Sequence, residues 1–207
     1  MVVTHHHHDH VGGIERLVQR YGARVVGPQA EYIPRRSVDV RDGDVVSVPE
    51  LDLTLRALAV PGHTLGAIAY IGEGCAFTGD TLFTAGCGRL FEGTPVQMHR
   101  SLTLLSALPE ATQIYCGHEY TLANLRFAAT VEPGNAAIAA RVRDTEALYR
   151  AGLPAVPASI AAERATNPFL RCDVAAVRAS AEAHSGRALE AAVDVFAVLR
   201  DWKNKFA

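Results

Sequence analysis

Thr4-His5-His6-His7-His8-Asp9-His10-Val11-Gly12-Gly13 packs five of the chain's nine histidines into six residues. Val2-Val3 before it reads as the end of a strand. Ile14, Leu17, Val18 and Tyr21 after it keep the i, i+3, i+4, i+7 spacing of an amphipathic helix, stopped by Gly22. At a strand end successive side chains alternate, so His5 and His7 point one way and His6 and His8 the other. Asp9 and His10 sit where the chain turns into the helix. The stretch offers paired imidazoles for one metal and a carboxylate with an imidazole for a neighbour, donors that suit zinc, iron or manganese. An affinity tag would be followed by a linker, not by Asp-His-Val-Gly-Gly and an amphipathic helix.

Three later fragments repeat the theme. Pro61-Gly62-His63-Thr64, Phe77-Thr78-Gly79-Asp80-Thr81 and Tyr115-Cys116-Gly117-His118-Glu119-Tyr120 each place one ligand-type side chain beside a glycine where a strand ends. One such fragment is weak, because a lone histidine is more often a satisfied structural residue. Four in this order, all at strand ends, are together a strong signal of metal-ligand chemistry.

The chain around them divides in character. Up to about residue 121 it mixes strand and helix signals. Leu51, Leu53, Leu55 and Ala57 alternate with polar residues as a half-buried strand, and Ala67–Ile71 and Cys75–Thr78 flank Gly72-Glu73-Gly74 as a hairpin. Ser101–Leu108 reads as a short helix ended by Pro109, and Gln113–Cys116 as a further strand. Beyond residue 121, the segments 122–131, 136–150, 174–183 and 188–203 are Ala-rich and helical in period, punctuated by Pro133-Gly134, Gly152–Pro157 and Asn167-Pro168. An α/β domain over 1–121 and a helical domain over 122–207 are therefore expected.

Length and charge set the outer bounds. In 207 residues, 20 Lys+Arg against 22 Asp+Glu leave a net charge of −2, so no broad positive field exists to hold nucleic acid. No apolar run of ~18 residues predicts a membrane span. Met1–Thr4 lacks the apolar core of a signal peptide, and Cys75, Cys87, Cys116 and Cys172 are too scattered for a disulfide framework, which predicts a cytoplasmic protein. No cysteine–histidine–acid order makes Cys87 or Cys116 a nucleophile.

The order H-x-H-x-D-H, G-H-T, G-D and G-H resembles the metallo-β-lactamase superfamily. Within it the chain is similar to the hydroxyacylglutathione hydrolases (glyoxalase II). The narrower likeness rests on Ala85-Gly86-Cys87-Gly88-Arg89-Leu90-Phe91-Glu92-Gly93-Thr94, Gly117–Thr121, Asn167-Pro168-Phe169-Leu170-Arg171 and Leu199–Phe206. It implies an α/β (α+β) fold, an αββα sandwich followed by a helical C-terminal domain. Two divalent metal ions are implied, zinc before iron or manganese, the first held by His5, His7 and His63 and the second by Asp9, His10 and His118, with Asp80 between them. Arg89, Phe91, Tyr120, Arg200 and Lys203 would bind a glutathione thioester. Three positions depart from the pattern: His8 stands where tryptophan is common, Asn204 where aspartate is, and Phe91 lacks a tyrosine's hydroxyl, so only packing or backbone contact is expected of it. His6, His8, His99 and His184 stay outside the metal set, with His6 a candidate for supporting it from behind.

The implied reaction is hydrolysis of S-D-lactoylglutathione to D-lactate and glutathione, by a hydroxide shared between metals ~3.5–4 Å apart, in methylglyoxal detoxification. A thiolate leaves readily, its thiol pKa being about 8.5, so no strong general acid is required. Glutathione's two carboxylates give a use to Arg89, Arg200 and Lys203; without the resemblance the last two read as a solvated helix end, where cations suit the dipole. The partner is thus a small thioester, with neither nucleic acid nor membrane, and the chain is expected to be a monomer. Rival readings are a persulfide dioxygenase or another hydrolase of the superfamily, and an inactive metal-binding form. The last arises because relatives carry strands and a helix before the His-rich loop, roughly 40–60 residues; the N-terminus is expected to be shortened and the sandwich to lack its first strands.

Overall fold

The computed structural model describes residues 1–206. Its centre is a six-stranded sheet made of β3 (Val45–Val48), β4 (Leu53–Ala59), β5 (Ile68–Gly72), β6 (Cys75–Gly79), β9 (Gln113–Cys116) and β10 (Ala158–Ser159). The order is β10-β9-β6-β5-β4-β3, antiparallel except for the β6–β9 pair. A short parallel pair, β1 (Val26–Pro28) and β2 (Val38–Val40), lies against one face, and Val2 joins it by a single bridge to Val26. The hairpin β7 (Leu82–Phe83) and β8 (Gly86–Cys87) follows β6.

Strand alternation decides what each face buries. Leu55 and Ala57 of β4 with Ile68 and Tyr70 of β5 turn toward Val26, Val40 and Val46. Ala69 of β5, Ala76 of β6 and Ile114 of β9 turn the other way, onto a layer of helices. That layer holds α3 (Pro95–Ser106), α4 (Thr121–Val131), α6 (Ile160–Thr166), α7 (Ala175–Ser185) and α8 (Ala192–Lys205). α5 (Ala136–Arg150) packs behind α4 through Ile138, Leu125 and Ala128. Leu102 and Leu105 of α3, Phe127 of α4 and Val195, Phe196 and Leu199 of α8 share one buried cluster with the sheet residues. The helical half is therefore continuous with the sheet's core.

Most expected elements form, with instructive differences at their ends. The hairpin joins Gly72 to Cys75 across Glu73-Gly74, both at positive φ (49° and 72°), the twist a two-residue turn needs. The strand expected from Leu51 begins at Leu53. Pro49 starts a 3-10 turn and Asp52 takes a left-handed φ of 48°, which leaves Leu51 exposed. The helix expected from Ser101 begins six residues earlier, at Pro95. Thr94 Oγ1 accepts from Gln97 N and Gln97 Oε1 accepts from Thr94 N, a capping box. The last helix begins at Ala192 rather than Ala188. α6 and β10 carry no periodic signal at all; β10 exists because Ala158 and Ser159 find the free edge of β9.

The corner after α4 is pinned by charge. Glu132 accepts from Arg171 Nε at 2.9 Å and Nη2 at 2.7 Å and from Asn135 Nδ2 at 3.1 Å. Burial pushes the Glu132 carboxyl up, but the Arg171 and Asn135 bonds outweigh it and hold it below the ordinary glutamate range. A depressed folded-state pKa stabilises above the unfolded value and ceases to do so as pH falls through the folded one. Glu132→Gln is therefore expected to cost about 1–3 kcal/mol at neutral pH. The gap in thermal midpoint between wild type and variant should close in acid, below the ordinary glutamate value. An equal gap at neutral and acid pH would show that charge is not the cause.

Candidate metal centre and substrate cleft

The His-rich loop is placed from both sides. Val3 N donates to Val26 O, Val26 N to Met1 O and Ile68 N to Thr4 O, each at 2.9 Å. The buried Tyr70 hydroxyl donates to Val3 O at 2.8 Å. Four residues thus fix the entry to His5 without forming a regular strand. The chain then winds into α1 (His8–Val11), a single turn that carries Asp9 and His10, before α2 (Ile14–Tyr21).

The seven residues singled out from the sequence converge. Donor atoms of His5, His7 and His63 lie within 4.8 Å of one another, as do those of Asp9, His10 and His118, and those of His5, His10 and Asp80. Asp80, at the end of β6, stands between the two triads. Its Oδ2 is 3.5 Å from His63 Nε2 and 3.3 Å from His118 Nε2, and its Oδ1 is 3.2 Å from His10 Nε2. His63 Nε2 also approaches His7 Nδ1 (2.9 Å), and His10 Nε2 approaches His118 Nε2 (3.3 Å). His6 turns away, its Nδ1 3.0 Å from Glu31 and its Nε2 3.2 Å from Glu92.

The electrostatics suit a cation. Burial, reinforced by His10, lowers His5 to about 3, so it is a neutral lone-pair donor. Burial lowers His63 as well. Contact with the Asp80 carboxylate, against burial, raises His10, and the same contact keeps Asp80 ionised. His5 Nε2 and Asp80 Oδ1 are buried without a hydrogen bond; His10 is near Oδ1 but off the bonding direction. Such orphans normally cost about 1–3 kcal/mol each. Imidazole and carboxylate donors aimed at common points, with two left unsatisfied, are the chemistry a divalent metal completes. The donor set fits.

The outer contacts fix the rings. His63 Nδ1 donates to Arg89 O at 2.8 Å, which presents its Nε2 lone pair inward, and His5 Nδ1 is 3.1 Å from Thr4 Oγ1. Gly117 makes room: a Cβ there would stand 2.3 Å from Asp80 Oδ1 and 2.8 Å from His10 Cε1. Gly117→Ala is therefore expected to displace Asp80 and lower metal content, with the metal-free thermal midpoint nearly unchanged. Elemental analysis showing wild-type metal content would refute this crowding argument.

A cleft of about 390 Å³ opens beside Asp80 and His63. All five residues expected to bind substrate line it: Arg89, Phe91, Tyr120, Arg200 and Lys203. Phe91 is largely exposed, its ring edge-on to His7 and His63, and Tyr120 stacks on His118 at 5.2 Å. Burial, helped by the Arg200 and Arg89 charges, lowers the Lys203 ammonium. Arg200 differs from the rest: it is buried, and its Nη1 donates to Cys87 O at 2.7 Å. Sequence reasoning missed Asn124 and Phe83 as cleft walls, and Glu31 behind His6. Glu31 stands in an irregular stretch with no motif. Its Oε1 accepts from Thr64 Oγ1 and Gly66 N and its Oε2 faces His6 Nδ1, contacts that only the fold creates.

The superfamily description "Metallo-beta-lactamase superfamily" matches residues 1–118, and "Hydroxyacylglutathione hydrolase C-terminus" matches residues 119–206. The hydroxyacylglutathione hydrolase of Alkalilimnicola ehrlichii is 55% identical over 205 residues, covering 99% of this chain and 80% of that protein. That of Nitrosomonas eutropha is 50% identical, covering 100% and 81%. Among solved structures, ETHE1 from Myxococcus xanthus aligns with a TM-score of 0.64 at 27% identity, over 97% of this chain and 68% of that one. The BLEG-1 B3 metallo-beta-lactamase aligns at 0.59 and 18% identity, over 82% and 75%, a likeness of fold alone. No helix among the described residues is long and apolar enough to cross a membrane. With both halves matched in sequence and a divalent-metal donor set in place, the chain belongs to the hydroxyacylglutathione hydrolase family of the metallo-β-lactamase superfamily.

Proposed function

We infer that this protein hydrolyses glutathione thioesters, S-D-lactoylglutathione above all, to the 2-hydroxy acid and glutathione. The observation that carries the reading is the adjacency of two features. A donor set with Asp80 between two triads opens, through Asp80 and His63, onto a cleft whose walls carry Arg89, Tyr120 and Lys203. His5, His7 and His63 would hold one divalent metal and Asp9, His10 and His118 a second, zinc before iron or manganese. Bound there, the metals would supply Lewis acidity and lower the pKa of water toward ~7.

The chain's own residues do the rest. Arg89 and Lys203 face the carboxylates at the two ends of glutathione, which binds the substrate by its constant part. Phe91 and the Tyr120 ring flank the metal-facing histidines, where the thioester carbonyl would lie, and narrow the access of bulk water. No side chain acts as acid on the leaving group, because a thiolate needs none. Cys87 and Cys116 are raised by burial and stay protonated, which removes them as nucleophiles. Residues 1–121 supply the metal ligands, and residues 122–207 one wall of the cleft. Every group required comes from one chain, so a monomer suffices, and a cytoplasmic location fits the substrate.

The test is an absorbance assay of thioester loss on purified protein loaded with zinc, iron or manganese, with metal counted per chain. Turnover of S-D-lactoylglutathione with two metals bound is expected. No turnover with any of the three would overturn the reading, and full activity with one metal would overturn its dinuclear form.

A further inference from the structure

The loop from Leu82 to Phe91 carries Arg89 and Phe91; the cleft residues Asn124 and Arg200 hold Thr84 O and Cys87 O, and a second set of contacts, away from the cleft, holds its apex. Ala85 at its apex is fully buried with a φ of 57°, a left-handed conformation that side chains with a Cβ seldom adopt. Its N–H donates to Oε2 of Glu163 on α6 at 2.8 Å. Glu163 is itself wholly buried; Arg141 Nη2 of α5 donates to its Oε1 at 2.5 Å, and Asn167 Nδ2 donates to its Oε2 at 2.9 Å. The same Asn167 amide reaches Gly86 O at 3.0 Å and Phe83 O at 3.4 Å. A carboxylate and an amide four residues apart thus grip the chain on both sides of Ala85. Neither residue lines the cleft.

The far end of this loop sets the metal-facing ring. Arg89 O accepts from His63 Nδ1, and Phe91 N donates to His63 O at 3.3 Å. A buried carboxylate is an expensive way to glue two helices, since apolar packing serves as well. What apolar packing does not provide is an acceptor for an N–H in a strained turn. We propose that Glu163, assisted by Asn167 and Arg141, is a positioning residue for the reaction: it locks the Ala85 turn so that the Arg89 carbonyl holds His63 with Nε2 toward Asp80. The kinetic consequence rests on the hydrolase reading; the effect on His63 does not.

The experiment compares Glu163→Gln and Asn167→Ser with Glu132→Gln, which breaks another charged contact remote from the loop. Asn167→Ser keeps an oxygen to cap Phe169 N and removes the amide, so it serves if Glu163→Gln does not fold. Side-chain proton–nitrogen spectra of zinc-loaded and metal-free protein report the His63 Nδ1–H, and kcat/KM is measured equally far below each thermal midpoint. Expected is loss of the protected His63 Nδ1–H signal and at least a tenfold drop in kcat/KM for the Glu163 and Asn167 variants. Glu132→Gln should shift only the midpoint. A folded Glu163 or Asn167 variant with the His63 signal intact and kcat/KM within twofold of wild type would overturn the proposal. If wild type itself shows no thioesterase activity, the hydrolase reading fails while the His63 signal still decides the locking role.

Discussion

Asp80→Ala is expected to strip metal from both halves of the site and to lower kcat/KM for S-D-lactoylglutathione about a thousandfold or more. The carboxylate reaches both triads, 3.5 Å from His63 and 3.3 Å from His118 through a single oxygen. It is also the negative charge among five imidazoles, so its removal would leave any divalent metal held there with Asp9 as the one carboxylate left of the seven donors. Several kcal/mol of transition-state stabilisation is what a metal centre supplies, and ~4 kcal/mol is about three decades in rate. Loss of a peripheral ligand should cost less. Asp9 is mostly exposed and touches only the second triad, so Asp9→Ala is expected to release one metal and spare the other. Metal counts and kcat/KM on the two variants make the comparison. Equal losses would mean that Asp80 holds no special place; near wild-type metal content in Asp80→Ala would remove its bridging role altogether.

Why the site was so legible follows from how it is built. Four donors lie in one run of six residues and the other three follow strand ends, each with a glycine beside it, so the order of fragments survives in the linear chain. Asp80, Gly117 and His118 belong together because β6 and β9 are parallel neighbours, which places their ends side by side. Residues that hold the donors are a different matter. Glu31, Glu163 and Asn124 lie in stretches whose local pattern says only loop or helix. Their partners are backbone groups of loops 35, 78 and 40 residues away, contacts no local pattern encodes. α6 was unread for the same reason. At seven residues it is too short to show a period, and Ser159, which caps it, doubles as the end of β10. Element ends were misplaced where turn chemistry decided them, at Asp52 and at Thr94.

Arg200 and Lys203 lie three residues apart on α8 and are expected to fail in different ways. One turn of helix puts both toward the cleft, but their surroundings are not alike. Arg200 is 5% exposed, its Nη1 donating to Cys87 O at 2.7 Å and reaching Gly88 O at 3.4 Å, with the guanidinium 5.1 Å above the Phe169 ring. It props the Gly-rich loop from beneath. Arg200→Met leaves two carbonyls short of a donor in a buried place, at about 1–3 kcal/mol each. The thermal midpoint should fall by several degrees, and turnover should drop for every thioester, large or small. Lys203 keeps its Nζ near the Phe127 and Phe206 rings, with one long contact to Ala123 O at 3.5 Å, so little of the fold depends on its charge. Lys203→Met should hold the midpoint and raise KM for S-D-lactoylglutathione about tenfold, the ~1.4 kcal/mol within the range of a charge-assisted hydrogen bond. A small thioester without the glutathione carboxylates should be hydrolysed as before. A remote contact can act on kcat too, so the contrast between substrates is the informative measurement. Should Lys203→Met slow both substrates equally with its midpoint intact, the lysine does not bind the glutathione portion.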